Sequence, residues 1–189
     1  MKHYLLILLV ILLSACSLGM ANTPSEKVKE LLNKYKNQDS EIMKNLDEIV
    51  TSSYSGDYAD RYKKLMVNQY KNMEYEITDE IIEGDSAIVT ARITVFDYAS
   101  ALDRVNSYLS ENQDEFMLNN QDENTESQND QISSFDNDKF LDYKLNAFEQ
   151  VNDKRDYNIQ FTLSKTDDKW SIDSLSESDI EKIHGLSHE

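Results

Sequence analysis

The chain has 189 residues, with 36 acidic residues (Asp and Glu) against 19 basic ones (Lys and Arg), which gives a formal net charge of −17. This acidity excludes binding of nucleic acids or anionic lipids through bulk charge, because polyanions are repelled. Four glycines, one proline and one cysteine exclude a collagen-like chain, a disulfide-stapled miniprotein and a zinc-binding cysteine cluster. The composition leaves one acidic, tyrosine-rich domain of ordinary size.

The first fifteen residues differ from the rest of the chain, because Lys2 is followed there by an almost unbroken apolar run. The run is too short for a permanent membrane span and is typical of the core of a signal peptide. It ends in Leu13, Ser14 and Ala15, directly before Cys16, the only cysteine. This order resembles the lipobox of bacterial lipoproteins, in which the peptide is cleaved before the cysteine and the thiol is lipidated.

The lipobox resemblance implies that residues 1–15 are a signal peptide and that Cys16 becomes the first residue and the membrane anchor. Residues 16–24 then form a lipidated tether, on the extracytoplasmic face of the cell membrane. An uncleaved anchor, or a plain secretory signal with a chance cysteine, is the alternative. Because residues 1–15 contain one lysine and no acid, the chain from Cys16 onward has 18 basic and 36 acidic residues, a net charge of −18.

Three helices are predicted after the tether. Thr23 and Pro24 are typical of an N-cap and the first helical position, Asp39 or Ser40 can cap a second helix, and a third begins near Ser55. The apolar residues at helical spacing are Val28, Leu31, Leu32 and Tyr35, then Ile42, Leu46, Ile49 and Val50, then Tyr58, Tyr62, Leu65, Met66 and Tyr70.

Two hairpins are predicted from residues that alternate between apolar and polar. In the first, Tyr75, Ile77 and Ile81 share one face, and a turn at residues 83–85 leads into a second strand. That strand places Ala87, Val89, Ala91, Ile93 and Val95 on one face and Ile88, Thr90, Arg92, Thr94 and Phe96 on the other. The second face is mixed, so it lines a groove or meets solvent. Residues 157–163 and 170–172 form the second hairpin.

Residues 111–138 interrupt this pattern with nine acids and no lysine or arginine. Such a segment buries too little apolar surface to offset its ordering entropy, so we predict a mobile acidic insertion. It lacks the spacing and the turn glycine of a calcium-binding EF-hand loop, which favours a solvated loop. A helix follows the insertion. Ser176 and Asp179 can form a capping box at the start of a short helix near the C-terminus.

The element order predicts an α+β fold, with N-terminal helices packed on one antiparallel sheet and a helical, acidic insertion between the two hairpins. This order resembles the NTF2-like or cystatin-like cone, a curved sheet wrapped against helices, over a single domain at residues 25–186. It is also similar to membrane lipoproteins of low-GC Gram-positive bacteria that carry such a domain behind a lipobox. A helix-over-meander domain without a cavity is the alternative.

The sequence contains no motif for catalysis, a cofactor or a metal. His3 lies in the signal peptide, while His184 and His188 are near the C-terminus and are predicted to be exposed. No phosphate-binding loop follows any predicted strand, and no ligand set has zinc spacing. The remaining catalytic candidate is Asp97 beside Tyr98, and a carboxylate between a strand and a helix is interpreted as an N-cap.

Tyr58, Tyr62 and Tyr98 form a candidate ligand pocket, because tyrosines offer aromatic faces together with hydroxyl groups. A tyrosine stripe at helical spacing is more often the contact between a helix and the sheet, with the hydroxyl groups reaching the surface, and this interpretation is favoured over the pocket.

These observations predict a cell-surface lipoprotein with a non-catalytic binding role, whose partners are the membrane, through Cys16, and a small molecule, peptide or protein. The alternative from the enzyme class is an NTF2-like lyase or isomerase, which the resemblance implies would use a buried acid such as Asp97 with a tyrosine donor. A third hypothesis is a homodimer formed through sheet faces. No nucleic acid and no cofactor is predicted.

Overall fold

The computed structural model describes residues 22–118 and 134–189. In chain order the elements are α1 (Pro24–Lys36), α2 (Ser40–Ser53), α3 (Gly56–Asn72), β1 (Glu74–Glu83), β2 (Ser86–Phe96), α4 (Tyr98–Glu111), a 3-10 turn (Gln113–Phe116), β3 (Met117–Leu118), β4 (Ser134–Phe135), α5 (Asn137–Glu149), β5 (Lys154–Thr166), β6 (Lys169–Ile172) and α6 (Glu177–His184). The predicted α+β class, with helices on one antiparallel sheet, is confirmed.

Side chains at the predicted N-caps fix where α1 and α2 begin. The Thr23 hydroxyl accepts a hydrogen bond from the backbone N–H of Glu26, with Pro24 at the first helical position. The Asp39 carboxylate accepts one from the N–H of Glu41. Each cap satisfies a backbone donor that has no partner within the helix, which stabilises the helix start.

The main sheet has the strand order β1-β2-β5-β6, and every neighbouring pair is antiparallel. The alternation predicted for β2 and β5 is confirmed, because one face of each strand is buried and the other is not. The buried face of these two strands consists of Ala87, Val89, Ala91, Ile93, Val95, Tyr157, Ile159, Phe161 and Leu163. The helices cover this face, and the stripes predicted for α1, α2 and α3 contribute to the same core, except for Ile49 of the α2 stripe, which is 43% exposed.

One prediction for β1 is wrong. Tyr75 and Ile77 pack against the core, but Ile81 is 49% exposed. The pairing of β1 with β2 shifts register between Ile77 and Asp79, so every later residue of β1 changes face. Ile81 therefore pairs with Ile88 on the exposed side of the sheet.

The two flanks of the predicted insertion are ordered and pack together. Met117 pairs with Phe135 and Leu118 with Ser134 in a two-stranded ladder. Phe116 is buried beneath it, with the rings of Phe135 and Phe140 at centroid distances of 6.3 and 5.8 Å. Tyr108 on α4 also packs against Phe116, with 6.3 Å between ring centroids, so this aromatic cluster joins α4 to α5 in a second, smaller core. The middle of the acidic insertion, residues 119–133, lies outside the described residues.

Candidate functional site

A groove of about 640 Å³ opens on the sheet face that points away from the hydrophobic core. Its lining consists of Thr78, Thr90, Arg92, Asn158, Gln160, Asp179 and Lys182. Five of these residues lie on three neighbouring strands, and the other two lie on α6, which forms one wall. The lining is polar throughout, which distinguishes it from the apolar pockets that usually hold drug-like molecules.

Strand pairing places the central groove residues in two adjacent rows. Thr90 lies opposite Gln160, and Arg92 lies opposite Asn158. Directly opposite residues on one face of an antiparallel pair are within reach of each other, so these four side chains form one continuous patch. Asn158 and Gln160 are exposed, so their amide groups face solvent and offer both donors and acceptors.

The charges around the groove balance one another. Arg92 forms an ion pair with Glu76 on β1, with 2.6 Å between Nη2 and Oε1. Asp179 is held by the capping box of α6, in which it accepts from Ser176 and donates its backbone N–H to the Ser176 hydroxyl. Lys182 lies one turn further along the same helix. The lining thus contains two cations and one carboxylate, and Glu76 beside it neutralises one of the cations, in a chain whose net charge is −17.

A second depression of about 480 Å³ lies along the solvent side of α1, between Asn22 and Asp39. Two of its lysines pair with glutamates at one-turn spacing, Lys29 with Glu26 at 2.8 Å and Lys27 with Glu30 at 2.9 Å. Such exposed pairs contribute little to stability and are typical of a solvated helix surface.

The structure places the predicted pocket tyrosines in or beside the core. Tyr62 is 7% exposed and stacks on Tyr54, with 4.7 Å between ring centroids, and Tyr98 is 1% exposed and stacks on Phe148 at 5.2 Å. Burial raises the pKa of both hydroxyls, that of Tyr98 to about 12. Tyr58 is partly buried, and its hydroxyl donates to the carbonyl of residue 138 at 3.1 Å. These contacts fit core packing, and a ligand pocket among the three tyrosines stays a prediction.

Asp97 caps α4, as predicted. Its carboxylate accepts the backbone N–H of Ser100 at 3.0 Å and the Ser100 hydroxyl at 2.8 Å. The second carboxylate oxygen also forms an ion pair with Arg155 on β5, at 3.0 Å. Both oxygens are therefore engaged in contacts that hold the start of α4 against the sheet.

The prediction that His184 is an exposed tail residue is wrong. It is 7% exposed, at the end of α6, and its Nε2 lies 2.8 Å from the hydroxyl of Tyr70 on α3. Burial lowers the pKa of the imidazole to about 4. The ring faces the core and not the groove, so it contributes to packing there. His188 is exposed, as predicted, with Nδ1 3.6 Å from the carboxylate of Asp103.

Cys16 and the lipobox residues Leu13, Ser14 and Ala15 lie outside the described residues. Within residues 22–118 and 134–189, no helix is both long enough and apolar enough to cross a bilayer. The same residues contain no cluster of three or more histidine, cysteine or acidic side chains arranged to hold a metal ion.

The groove and the fold together define an α+β domain with a helix-covered sheet face and a polar, solvent-facing one. No protein-family model matches the chain, and no curated protein is significantly similar to it in sequence. One solved structure that aligns with it is that of "a putative lipoprotein (ycdA)" from Bacillus subtilis subsp. subtilis str. 168, at 18% identity over 76% of this chain with a TM-score of 0.38. The alignment covers 44% of that protein, so this chain spans less than half of its length.

Proposed function

We propose that the protein is a surface lipoprotein, anchored through Cys16 to the outer face of the cytoplasmic membrane of a low-GC Gram-positive bacterium. Its domain, interpreted as NTF2-like, is a non-catalytic binding module that holds a polar ligand in the groove of the sheet. The anchor is supported by the order Leu13, Ser14, Ala15 and Cys16 behind an apolar run. The binding role is supported by the groove.

The observation that carries the binding role is the chemistry of the lining. Asn158 and Gln160 each present a donor and an acceptor to solvent, and the strand register places them beside Arg92 and Thr90. Each peptide unit also presents one donor and one acceptor. Because the cations and carboxylates around the groove balance, the ligand that fits best is polar and close to neutral, such as a short peptide segment.

Titration with the zwitterionic peptide tetraalanine, followed by NMR of the side-chain amide groups, tests this role. We expect the amide resonances of Asn158 and Gln160 to shift in a saturable way, while those of Asn68 and Asn106 on the helices stay in place. The expected affinity is weak, with Kd in the millimolar range, on the order of −4 kcal/mol. A titration that moves none of the groove resonances contradicts a peptide ligand.

Substitutions provide a second arm of the same experiment. Arg92→Ala and Lys182→Ala are expected to weaken binding of the peptide about five- to tenfold each, because each removes a cation that can meet the peptide carboxylate. Arg104→Ala on α4 is the matched control, since Arg104 is exposed and does not line the groove. Equal affinity in all three variants contradicts binding at this site.

A further inference from the structure

The two turns of the main sheet lie at the same end. The β1–β2 turn is at residues 84–85 and the β5–β6 turn at residues 167–168. Ser86 pairs with Ser164, and the backbone N–H of Lys165 donates to the carbonyl of Asp85 at 2.8 Å. We refer to residues 81–88 and 165–169 as the hairpin end.

The described chain begins at the hairpin end as well. The side-chain amide of Asn22 donates to the carbonyl of Asp168 at 2.5 Å, and its oxygen accepts the N–H of Trp170 at 3.4 Å. Three residues later, the Ser25 hydroxyl donates to the carboxylate of Glu80 on β1. These contacts fix the point at which the tether leaves the domain.

The length of the tether restricts how the domain can stand on a membrane. Asn22 is six residues beyond Cys16, and at about 3.4 Å per residue a fully extended tether reaches about 20 Å. The eleven residues of β2 separate the hairpin end from the opposite end of the sheet by about 33 Å. With the opposite end on the membrane, Asn22 would be beyond the reach of the anchor.

The hairpin end also carries most of the exposed isoleucine side chains of the described residues. Ile81, Ile82 and Ile88 are 49%, 51% and 42% exposed. Ile81 and Ile88 are direct cross-strand neighbours, while Ile82 pairs with Ala87 and lies on the other face of the hairpin. The register shift in β1 places Ile81 on the exposed face of the sheet. The end of the hairpin therefore exposes apolar side chains on both of its faces beside the exit of the tether, and such side chains match the surface of a lipid bilayer better than they match water.

We propose that the hairpin end is the surface through which the domain contacts the outer leaflet, with Ile81, Ile82 and Ile88 touching lipid and the groove opening to the side. The inference rests on the proposed anchor at Cys16. Carboxylates at the same end, including Glu83 and Asp85, oppose close contact with anionic lipid. The contact is therefore weak on its own, depends on the anchor, and is stronger on zwitterionic lipid.

The test uses the protein purified from the membranes of a bacterium that produces the full chain, placed in phosphatidylcholine vesicles that contain a spin-labelled lipid as quencher. Because lipidation occupies the thiol of Cys16, an introduced cysteine is the only free thiol of the mature chain. A fluorophore is attached to Asp85→Cys at the hairpin end or to Asn152→Cys at the opposite end, both exposed positions. We expect quenching at residue 85 to exceed quenching at residue 152 at least threefold. Equal or reversed quenching overturns the orientation.

Vesicle flotation separates the two proposals. A chain that floats with the vesicles but gives equal quenching at the two positions overturns the orientation and leaves the anchor standing. A chain that does not float overturns both. A chain that begins at residue 16 and carries Cys16→Ser, and so has neither lipid nor signal peptide, is expected to stay in the soluble fraction, because the three isoleucines alone do not hold the domain on the bilayer.

A triple variant tests the isoleucines directly. Replacing Ile81, Ile82 and Ile88 by Ser is expected to reduce quenching at residue 85 at least twofold, and circular dichroism checks that the fold is retained. Ile49→Ser is the matched control, because Ile49 is 43% exposed but lies on α2. Replacing half of the phosphatidylcholine by phosphatidylglycerol is also expected to reduce the quenching. Unchanged quenching in the triple variant overturns the lipid contact of these side chains.

Discussion

The hydroxyl of Tyr70 lies 2.8 Å from Nε2 of His184 inside the core and joins α3 to the end of α6. The Tyr35 ring packs edge-on against Tyr70, with 5.1 Å between centroids. Burial raises the pKa of the tyrosine and lowers that of the histidine, so both groups are neutral near pH 7. The pair therefore fastens the last helix to the domain without a buried charge.

This pair predicts a loss of stability in mild acid. The pKa of His184 is about 4 in the folded chain and 6.5 in the unfolded one. As the pH falls from 6.5 to 4, only the unfolded state takes up the proton, so the free energy of unfolding decreases by about 3 kcal/mol. Above pH 6.5 the histidine is neutral in both states, so its full contribution to the free energy of unfolding is present. Below pH 4 it is protonated in both states, and further acidification no longer changes the stability through this group. Urea unfolding at half-unit steps of pH measures the slope.

His184→Gln isolates the contribution of this histidine, because glutamine is polar and does not titrate. The variant is expected to have a flatter profile between pH 6.5 and pH 4, while carboxylate titration affects both chains alike. The exposed His188 serves as the control, and His188→Gln is expected to leave the wild-type slope unchanged. A wild-type slope in His184→Gln contradicts this assignment.

Gly185 is predicted to be intolerant of any side chain. It has a φ of +71°, and an added Cβ would overlap the backbone carbonyl of Phe96 and crowd the side-chain amide of Gln69. Gly185→Ala is expected to lower the free energy of unfolding by more than 3 kcal/mol, through left-handed strain and the clash together. Thermal and urea unfolding measure this change.

Gly84 is the matched control, because it has a similar φ of +62° with nothing within 4 Å of an added Cβ. Gly84→Ala is expected to cost only the strain of the left-handed conformation, about 1–2 kcal/mol. If the two substitutions cost the same, the close approach of α6 to the end of β2 is contradicted.

Arg61 holds α3 against α5 through three polar contacts. Its Nε lies 2.8 Å from Glu149, its Nη1 2.6 Å from Asp142, and its Nη2 donates to Asn146 at 2.8 Å. The hydrogen bond to Glu149 is the largest cause of a raised pKa of the guanidinium. Lysine keeps the positive charge, but its single ammonium group cannot reach all three partners as the planar guanidinium does. Arg61→Lys is therefore expected to lower the free energy of unfolding by about 1–2 kcal/mol.

The comparison for Arg61 is Lys44, which lies 3.8 Å from Glu48 with both side chains more than 60% exposed. Lys44→Ala is expected to change the free energy of unfolding by less than about 0.5 kcal/mol. Urea unfolding of the two variants under one set of conditions gives both values. Full stability in Arg61→Lys would show that the three contacts do not act together.

Replacing residues 119–133 by Asn-Gly is predicted to preserve the fold. Leu118 and Ser134 are paired neighbours, so a two-residue turn can join them. The shorter connection lowers the entropy cost of loop closure, so we expect unchanged stability or a gain of about 1 kcal/mol. Calorimetry measures this, and a loss above about 2 kcal/mol would show that the removed residues make stabilising contacts.

Much of the fold was predictable because its signals are local. Asp39, Asp97 and Ser176 cap helices where the sequence predicts caps, since capping needs only a side chain and backbone three residues or fewer away. The alternation of β2 was predictable for a similar reason, because side chains alternate strictly along a regular strand.

The failures involve contacts that no local pattern contains. The face of Ile81 depends on a register shift against β2, which alternation within β1 does not reveal. The burial of His184 depends on Tyr70, 114 residues earlier. In the groove, Thr90 and Arg92 were recognisable from the sequence as part of a mixed strand face. The polar residues of β5 alternate with its apolar ones, which likewise indicated a strand face that does not point into the core. The helix α6 was predictable from its capping box, but its position as a wall of the groove had no sequence signal.

The lipid anchor at Cys16 is the central claim, and the mass of the mature protein tests it most directly. The protein is purified from the membranes of a low-GC Gram-positive bacterium that produces the full chain, and its N-terminal peptide is analysed by mass spectrometry. We predict that residues 1–15 are absent, that Cys16 is the first residue, and that its mass includes a thioether-linked diacylglyceryl group. Cys16→Ser is predicted to leave the membrane fraction or to keep its signal peptide. A membrane-bound chain that retains Met1 and a free Cys16 thiol would contradict the claim.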